Sequence, residues 1–344
     1  MEGFSIPNQR SDRLVLEANL DYWDSDRFPQ LRRIKFDNTL DQKAAVELVK
    51  TGEGRVDVVT GLSPLETLRV AQSSFAKVVK ARGSLGTMFG MFNMRKTGSP
   101  WRDAQLRQAV NMAINRTDLI RYAAKGNGVI VPALVPAHGF GYDPDLAPYP
   151  FDPNKASRLQ QEAGYPDGMP LALIAPQALE VQATVVSKML EQAGFTVDLQ
   201  LLAPAAYNRR TFLSDLEQPP EQQVWDLALM VFLDAQNFPA YLFYLNFALD
   251  GVWDWVLEQP KLRQLYERVL RTVDEEHQQG LIRQMERHAH AQAYFLFLYN
   301  PINLYAVNKA VEFIPHVTGT LILTESGVTK EHWSVRNQEA MVDE

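Results

Sequence analysis

The sequence predicts an α/β fold, and three observations carry that reading. Short apolar or alternating runs are separated by amphipathic segments with helical spacing along most of the 344 residues. Helix start and stop signals recur, the cleanest being Asp152-Pro153 with Gly164 beyond. The stretch Leu171–Leu202 reads as a complete β-α-β unit, for which a right-handed crossover is expected.

In chain order, Arg13–Ala18 reads as a strand, followed by an aromatic turn, LDYWDS. Leu31–Phe36 alternates apolar and charged residues, the period of a half-buried strand. Asp41–Lys50 is an amphipathic helix, with Ala44, Ala45, Leu48 and Val49 on one face and Gly52 just past its end. Val56–Val59 is a short strand, Leu65–Gln72 a helix, and Ala76–Ala81 and Thr87–Asn93 are strands. From Trp101 the character turns helical. Ala104–Ala113 spaces Leu106, Ala109, Val110 and Ala113 along one face. Asn115 caps a second helix, with Asp118 in its first turn and Gly126 beyond. A Pro-rich loop leads to the Asp152-Pro153 helix. Leu171–Ala175, Leu179–Ala193 and Thr196–Leu202 then form the β-α-β unit. Ala205–Leu216 is a helix, Gln218–Gln223 a loop and Trp225–Phe232 an apolar strand. Lys261–Thr272 and Glu275–Phe295 are helices, Asn303–Val307 a closing strand, and the tail from about Asn337 is polar.

Composition narrows the function. Acids and bases are interspersed at a net charge of −7, without the basic stripe that nucleic-acid binding needs. There are no cysteines, which excludes disulfides, thiolate metal sites and cysteine nucleophiles. His288 and His290 are spaced i, i+2 on a helix and face apart, and His277 lies too far along it to complete a metal set. Neither a P-loop nor the motifs G-x-S-x-G, H-E-x-x-H and G-x-G-x-x-G are present, so no enzymatic constellation is expected. No cofactor is expected either. The first residues, MEGFSIPNQRSDRLVLEAN, do not read as a signal peptide, and no run reaches the ~18 apolar residues of a membrane span.

Four segments carry a resemblance. They are RLVLEANLDYWDSDRFPQLRRIKF (Arg13–Phe36), ELVKTGEGRVDVV (Glu47–Val59), MFGMFNMRKTGSPWRDAQLRQAVNMAINRTDLI (Met88–Ile120) and YDPDLAPYPFDPNKASRLQQEAGY (Tyr142–Tyr165). In this order and spacing they resemble the peptide/nickel/opine class of ABC-importer solute-binding proteins, solute-binding family 5. The third is the most specific: a strand ending in Phe-Asn, a short loop with Pro-Trp, then a helix pattern resembling the family's "V-R-Q-A-l-x-x-A-i-D-R". The resemblance implies a multi-lobed, type II periplasmic-binding-protein-like fold. It further implies a solute bound between lobes without catalysis, lobe closure, and docking on ABC permease subunits at the periplasmic or cell-surface side. A cytosolic ligand-sensing or interaction module on the same fold is the alternative.

By that resemblance, residues 1–94 and 301–344 form a partial lobe one and residues 95–300 a complete large C-terminal lobe. The hinge is expected near Asn93–Thr97 and Asn300–Asn303. Met88–Asn93 and Asn303–Val307 are expected to share a sheet. The family normally begins with a signal peptide, further lobe-one strands and a small lobe. A missing N-terminal lobe or a second chain is therefore expected, with poor peptide binding by this chain alone. Peptide-binding members hold the ligand amine with an Asp in a strand-end loop, which corresponds here to MVFLDAQNF (Met230–Phe238). The loop is shorter here than in the peptide binders, so Asp234 matches only its Asp-Pro-like position and not the amine anchor itself, and Asn237 follows it. The stretch APQALEVQA lacks the Arg that dipeptide binders use, which argues against a dipeptide specificity. Candidate ligand-binding residues are Asp234, Asn237, Phe232 and Trp225. The bland readings are a helix-capping Asp234 and aromatics (Trp225, Phe232, Tyr241, Tyr244, Trp253, Trp255) that belong to the core.

Overall fold

The computed structural model describes residues 12–24, 29–212, 219–234, 236–247, 255–257 and 260–336. The strands are β1 (Arg13–Glu17), β2 (Arg33–Asp37), β3 (Val58–Val59), β4 (Ala76–Lys80), β5 (Gly86–Phe92), β6 (Gly128–Ile130), β7 (Pro170–Pro176), β8 (Thr196–Leu202), β9 (Leu227–Leu233), β10 (Phe295–Pro301), β11 (Leu304–Asn308), β12 (Val311–Glu312) and β13 (Gly327–Val328). The helices are α1 (Gln42–Thr51), α2 (Thr67–Ala71), α3 (Ala104–Ala113), α4 (Arg116–Ala123), α5 (Pro153–Glu162), α6 (Glu180–Gln192), α7 (Pro204–Thr211), α8 (Ala240–Phe247), α9 (Pro260–Arg271) and α10 (Glu275–Ala291).

Two compact units result. The first comprises Met1–Arg82, Asn303–His316 and Thr320–Glu344. It holds the three-stranded sheet β3-β11-β4 and the two-stranded sheets β1-β2 and β12-β13. Asp41 starts α1 by accepting a hydrogen bond from the Ala44 N–H at 2.7 Å. The helix then buries Val46 and Val49. A small core joins Ala81, Tyr305, Val307, Val311 and Phe313. The last described segment is tied down at Asp57, whose carboxylate meets His332 Nε2 and Trp333 Nε1, each at 3.1 Å.

The second unit, Gly83–Ile302 with Val317–Gly319, carries the main core. Its six-stranded sheet has the order β6-β10-β5-β9-β7-β8. β7, β8 and β9 run parallel, and β5 is antiparallel to both β9 and β10. The carboxyl ends of β7, β8, β9 and β10 therefore collect at one edge of the sheet, beside the start of β5. β5 is buried along its whole length, as an apolar central strand must be. Around it, Phe89 meets Phe295 edge-on at 5.3 Å and Phe92 stacks on Trp101 at 5.2 Å. The start signals Asn115 and Asp152 act as expected, each capping its helix through its side chain, and Asp103 does the same for α3.

Three expectations are corrected. The helix expected over Glu275–Phe295 stops at Ala291, and Phe295–Pro301 is the strand β10. Ala293 turns the chain in the left-handed region (φ 49°), a position that usually takes Gly. β10 is buried on both faces through Asn300, so it shows no alternation to separate it from the apolar end of a helix. Secondly, the segments Met88–Asn93 and Asn303–Val307 do not share a sheet. β5 pairs with β10 and β9, whereas β11 pairs with β3 and β4. Thirdly, β5 thereby belongs to the larger unit, and the chain divides at Arg82/Gly83 and Ile302/Asn303 instead of at residues 94/95 and 300/301.

Candidate functional site

The end of β9 is where the sequence places its candidate residues, and the sheet explains why. The ends of parallel strands face outward where a crossover leaves them uncovered, and loops there can hold a ligand. β9 is buried from Leu227 to Met230 and emerges at Val231–Leu233. Its last pair is Leu233 with Gly86 on β5, and the Asp234 N–H continues that ladder by donating to the Leu85 carbonyl at 3.1 Å.

Asp234 is half-buried. Burial raises its pKa above the usual carboxylate value, and backbone N–H groups of Phe238, Gln236 and Asn237 pull it partly back. The carboxylate therefore folds its own loop onto itself, leading into α8. Asn237 sits in the left-handed region (φ 53°), one of the few non-Gly residues that tolerate it. Its exposed side chain accepts the Phe140 N–H at 2.7 Å. Phe232 is half-buried on the emerging end of β9.

Trp225 departs from its expected role. It is fully buried, packs edge-on against Trp255 at 4.6 Å, and donates its Nε1–H to the Arg210 carbonyl at 3.1 Å. It precedes β9 at the far end from Asp234, so it belongs to the core and offers no surface to a ligand. Trp255 is core in the same way, donating to the Thr211 carbonyl at 2.7 Å. Tyr241 and Tyr244 stack at 6.1 Å, and Tyr244 stacks on Tyr266 at 5.1 Å. Trp253 lies outside the described residues.

Sequence reasoning missed the loop that faces Asn237. Residues 131–146 are held by α10 through a row of polar anchors. The buried Glu286 carboxylate accepts the N–H groups of Leu134 at 3.1 Å and Val135 at 3.0 Å. Arg283 donates to the Tyr142 carbonyl at 3.0 Å, and Arg287 clasps buried Asp143 at 2.5 and 3.1 Å. Thr87 on β5 donates to the Leu134 carbonyl at 2.8 Å. Asn300, at the end of β10, donates to the Ser84 and Gly86 carbonyls and fixes the start of β5. Asn237 and Phe140 are thus brought together by two rigid supports, β9 and α10. The spacing of Glu286, Arg283 and Arg287 on one helix was visible, but not what it faced.

Chemically, this edge offers a half-buried carboxylate, an amide and aromatic surface. Groups of these kinds can hold a cationic or polar partner by hydrogen bonds and an apolar one by contact. Among the described residues, no group of three or more His, Asp or Glu is placed to hold a metal ion.

A family model described as bacterial extracellular solute-binding proteins, family 5 Middle, matches residues 7–253. The chain belongs to this family. Among curated relatives, the dipeptide-binding protein of Escherichia coli (strain K12) is 29% identical over 167 residues, 48% of this chain and 30% of the relative. The glutathione-binding protein GsiB of Salmonella typhimurium is 29% identical over 169 residues, 48% of this chain and 31% of the relative. The matched part thus amounts to less than a third of those proteins and takes in barely half of this chain. Solved structures show the same fold. The ABC transporter substrate binding protein CtaP of Listeria monocytogenes superposes with a TM-score of 0.77 at 18% identity, over 94% of this chain and 65% of the other. The oligopeptide-binding protein AppA of Bacillus subtilis, solved with a nonapeptide, gives 0.72 at 18% identity, over 94% and 65%.

Proposed function

We propose that this chain is the solute-binding component of an ABC importer for peptides or similar small solutes, and that it binds without catalysis. The observation that carries the reading is the family match over residues 7–253. Relatives named for a dipeptide and for glutathione support a peptide-like cargo. In this reading Asp234, Asn237 and Phe232 touch the solute: the carboxylate takes a cationic or hydroxyl group, the amide a polar one, and Phe232 the apolar part. The binding component works outside the membrane, in the periplasm or at the cell surface, and delivers its cargo to permease subunits. Among the described residues no helix is long and apolar enough to cross a membrane.

Uptake tests the proposal. Source cells lacking the gene should lose import of one labelled class among dipeptides, glutathione-like tripeptides, longer peptides and metal chelates, and regain it on complementation. Unchanged import of the whole panel, with the gene expressed in the parent, would overturn the reading.

A further inference from the structure

A histidine stands at the tip of the loop that reaches Asn237. The Gly139 N–H donates to the Pro136 carbonyl at 2.7 Å, closing a four-residue turn with His138 in its third position. Two residues on, the Phe140 N–H donates to Asn237 Oδ1 at 2.7 Å. The loop behind this tip is fixed by its anchors on α10, so a rigid support presents His138.

The His138 ring is seated on Gly83. A Cβ built on Gly83 would fall 2.1 Å from His138 Cδ2 and 2.4 Å from Nε2, so the imidazole fills the space a side chain there would take. The φ of Gly83 lies outside the left-handed region, so its backbone conformation does not call for glycine. What the bare Cα provides is room for the ring. Gly83 opens the segment that leads into β5, and Leu85 of that segment accepts the Asp234 N–H at 3.1 Å. His138 and the Asp234 loop thus flank the same few residues, all within the second unit.

The chemistry left over at this tip is that of donors. His138 is exposed, and among the described residues no hydrogen bond or ion pair engages its ring. The Phe140 N–H occupies Asn237 Oδ1, which fixes the orientation of the amide and leaves Nδ2 to donate outward. An imidazole N–H and an amide NH2 on neighbouring supports suit a group that accepts through two oxygens. We propose that His138 and the Asn237 amide together hold a carboxylate of the solute. The proposal rests on the importer reading above and deepens it: the cargo carries a free carboxylate, and Asp234 takes its cationic or hydroxyl group. The site thereby gains a carboxylate partner although the segment APQALEVQA supplies no Arg.

Competition for import tests it. Source cells lacking the gene are complemented with wild type or a variant, and import of labelled dialanine, glutathione and tetraalanine is measured. Whichever probe depends on the gene is competed with its own unlabelled free acid and with its C-terminal amide. For wild type the acid should compete about ten-fold or more better than the amide. His138→Ala leaves the Asn237 amide as the remaining donor and should cut that ratio to about three-fold or less. Gly83→Ala keeps the imidazole but unseats it, and should cut the ratio likewise. The two changes combined should do no more than His138→Ala alone, because both act through one ring. Asn237→Asp keeps an acceptor for the Phe140 N–H but sets carboxylate against carboxylate, and should turn the preference toward the amide. Acid and amide are compared within one strain, so a variant's level or partial misfolding does not move the ratio. Equal competition by acid and amide in wild type, or an unchanged ratio in both His138→Ala and Gly83→Ala, overturns the subsite and leaves the importer reading standing. Import of all three probes indifferent to the gene overturns the subsite and the peptide reading with it.

Discussion

The Asn111 side chain pairs with the backbone around Phe297 as a neighbouring strand would. Its Oδ1 accepts the Phe297 N–H at 3.1 Å, and its Nδ2 donates to the Phe295 carbonyl at 2.9 Å. The reason lies in the sheet. Among the described residues β6 covers its edge of β10 only from Tyr299 onward, so on that side no described strand lies beside Phe295–Phe297. Arg116 completes the cover, donating to the Phe297 carbonyl at 2.7 Å and to Asn111 Oδ1 at 3.0 Å. Both side chains are buried, and burial lowers the Arg116 pKa to about 10 without discharging it at neutral pH. Replacing Asn111 by Leu keeps the branched shape but orphans two backbone groups and one guanidinium bond. A loss of about 2–5 kcal/mol in urea denaturation is expected, together with faster exchange of the Phe297 amide. A loss below about 0.5 kcal/mol would show that water replaces the side chain there.

This pair also marks how far the sequence was legible. The helices holding Asn111 and Arg116 follow from their spacing and from the Asn115 cap, which accepts the Asp118 N–H at 3.1 Å. The Arg of the "A-i-D-R" pattern was visible as well. Its partner was not, because β10 reads as the end of a helix: an unbroken apolar run carries no period, and the turn at Ala293 lacks the usual Gly. At the site, Asp234 and Asn237 stand at a strand end as expected. Trp225 does not, because composition cannot tell a core indole from a lining one. The 131–146 loop was legible only as Pro-rich, since its anchors on α10 lie about 140 residues away.

The loop's geometry makes Gly141 a sensitive position. Its φ of +80° is unfavourable for any side chain, and an added Cβ would lie 2.6 Å from Ile282 Cγ2. Gly141→Ala should therefore cost about 2–4 kcal/mol by equilibrium unfolding. Ile282→Ala opens that space. The double variant should then be less destabilised than the sum of the two single changes; strict additivity would mean that the clash relaxes elsewhere.

Arg287 holds Asp143 well below the ordinary carboxylate pKa. Arg287→Ala leaves that buried carboxylate with the Asp145 N–H and the charge of Arg283. Because the Arg287 side chain is 56% exposed, water takes over part of its role, and only a small loss of stability is expected in thermal or urea unfolding. No change at neutral pH would mean that solvent reaches Asp143 once the guanidinium is gone.

Asp234 separates binding from folding. Asp234→Ala should weaken the solute identified by uptake by about 1.5–3 kcal/mol in calorimetry, the range for a charged hydrogen bond. Asp234→Asn keeps an acceptor for the loop N–H groups while removing the charge. It should hold the melting temperature closer to wild type than Ala does and still lose affinity for a cationic solute. Unchanged affinity in both variants, with a lower melting temperature in Ala, would leave Asp234 the role of shaping its loop.

Glu286 gives stability a pH dependence of definite sign. Complete burial raises its pKa from 4.5 to about 7; the Val135 and Leu134 N–H groups pull it down, and Asp143 adds a smaller upward push. The folded state thus holds a proton that the unfolded chain has already released between pH 4.5 and about 7. Stability from this group is greatest below pH 4.5 and falls as pH rises through that window, by about 3 kcal/mol in all. His288 and His290 act oppositely. Burial lowers both from 6.5, so their contribution to stability is lost as pH falls below that value. The total slope mixes the two effects, and the comparison must be with Glu286→Gln, which stays neutral and retains one acceptor for the loop. The difference in unfolding free energy, wild type minus variant, should decrease steadily from pH 4.5 to 7 and be flat above. A difference that is constant across the window would place the Glu286 titration outside it, and the carboxylate would then be held charged by its two backbone partners at all these pH values.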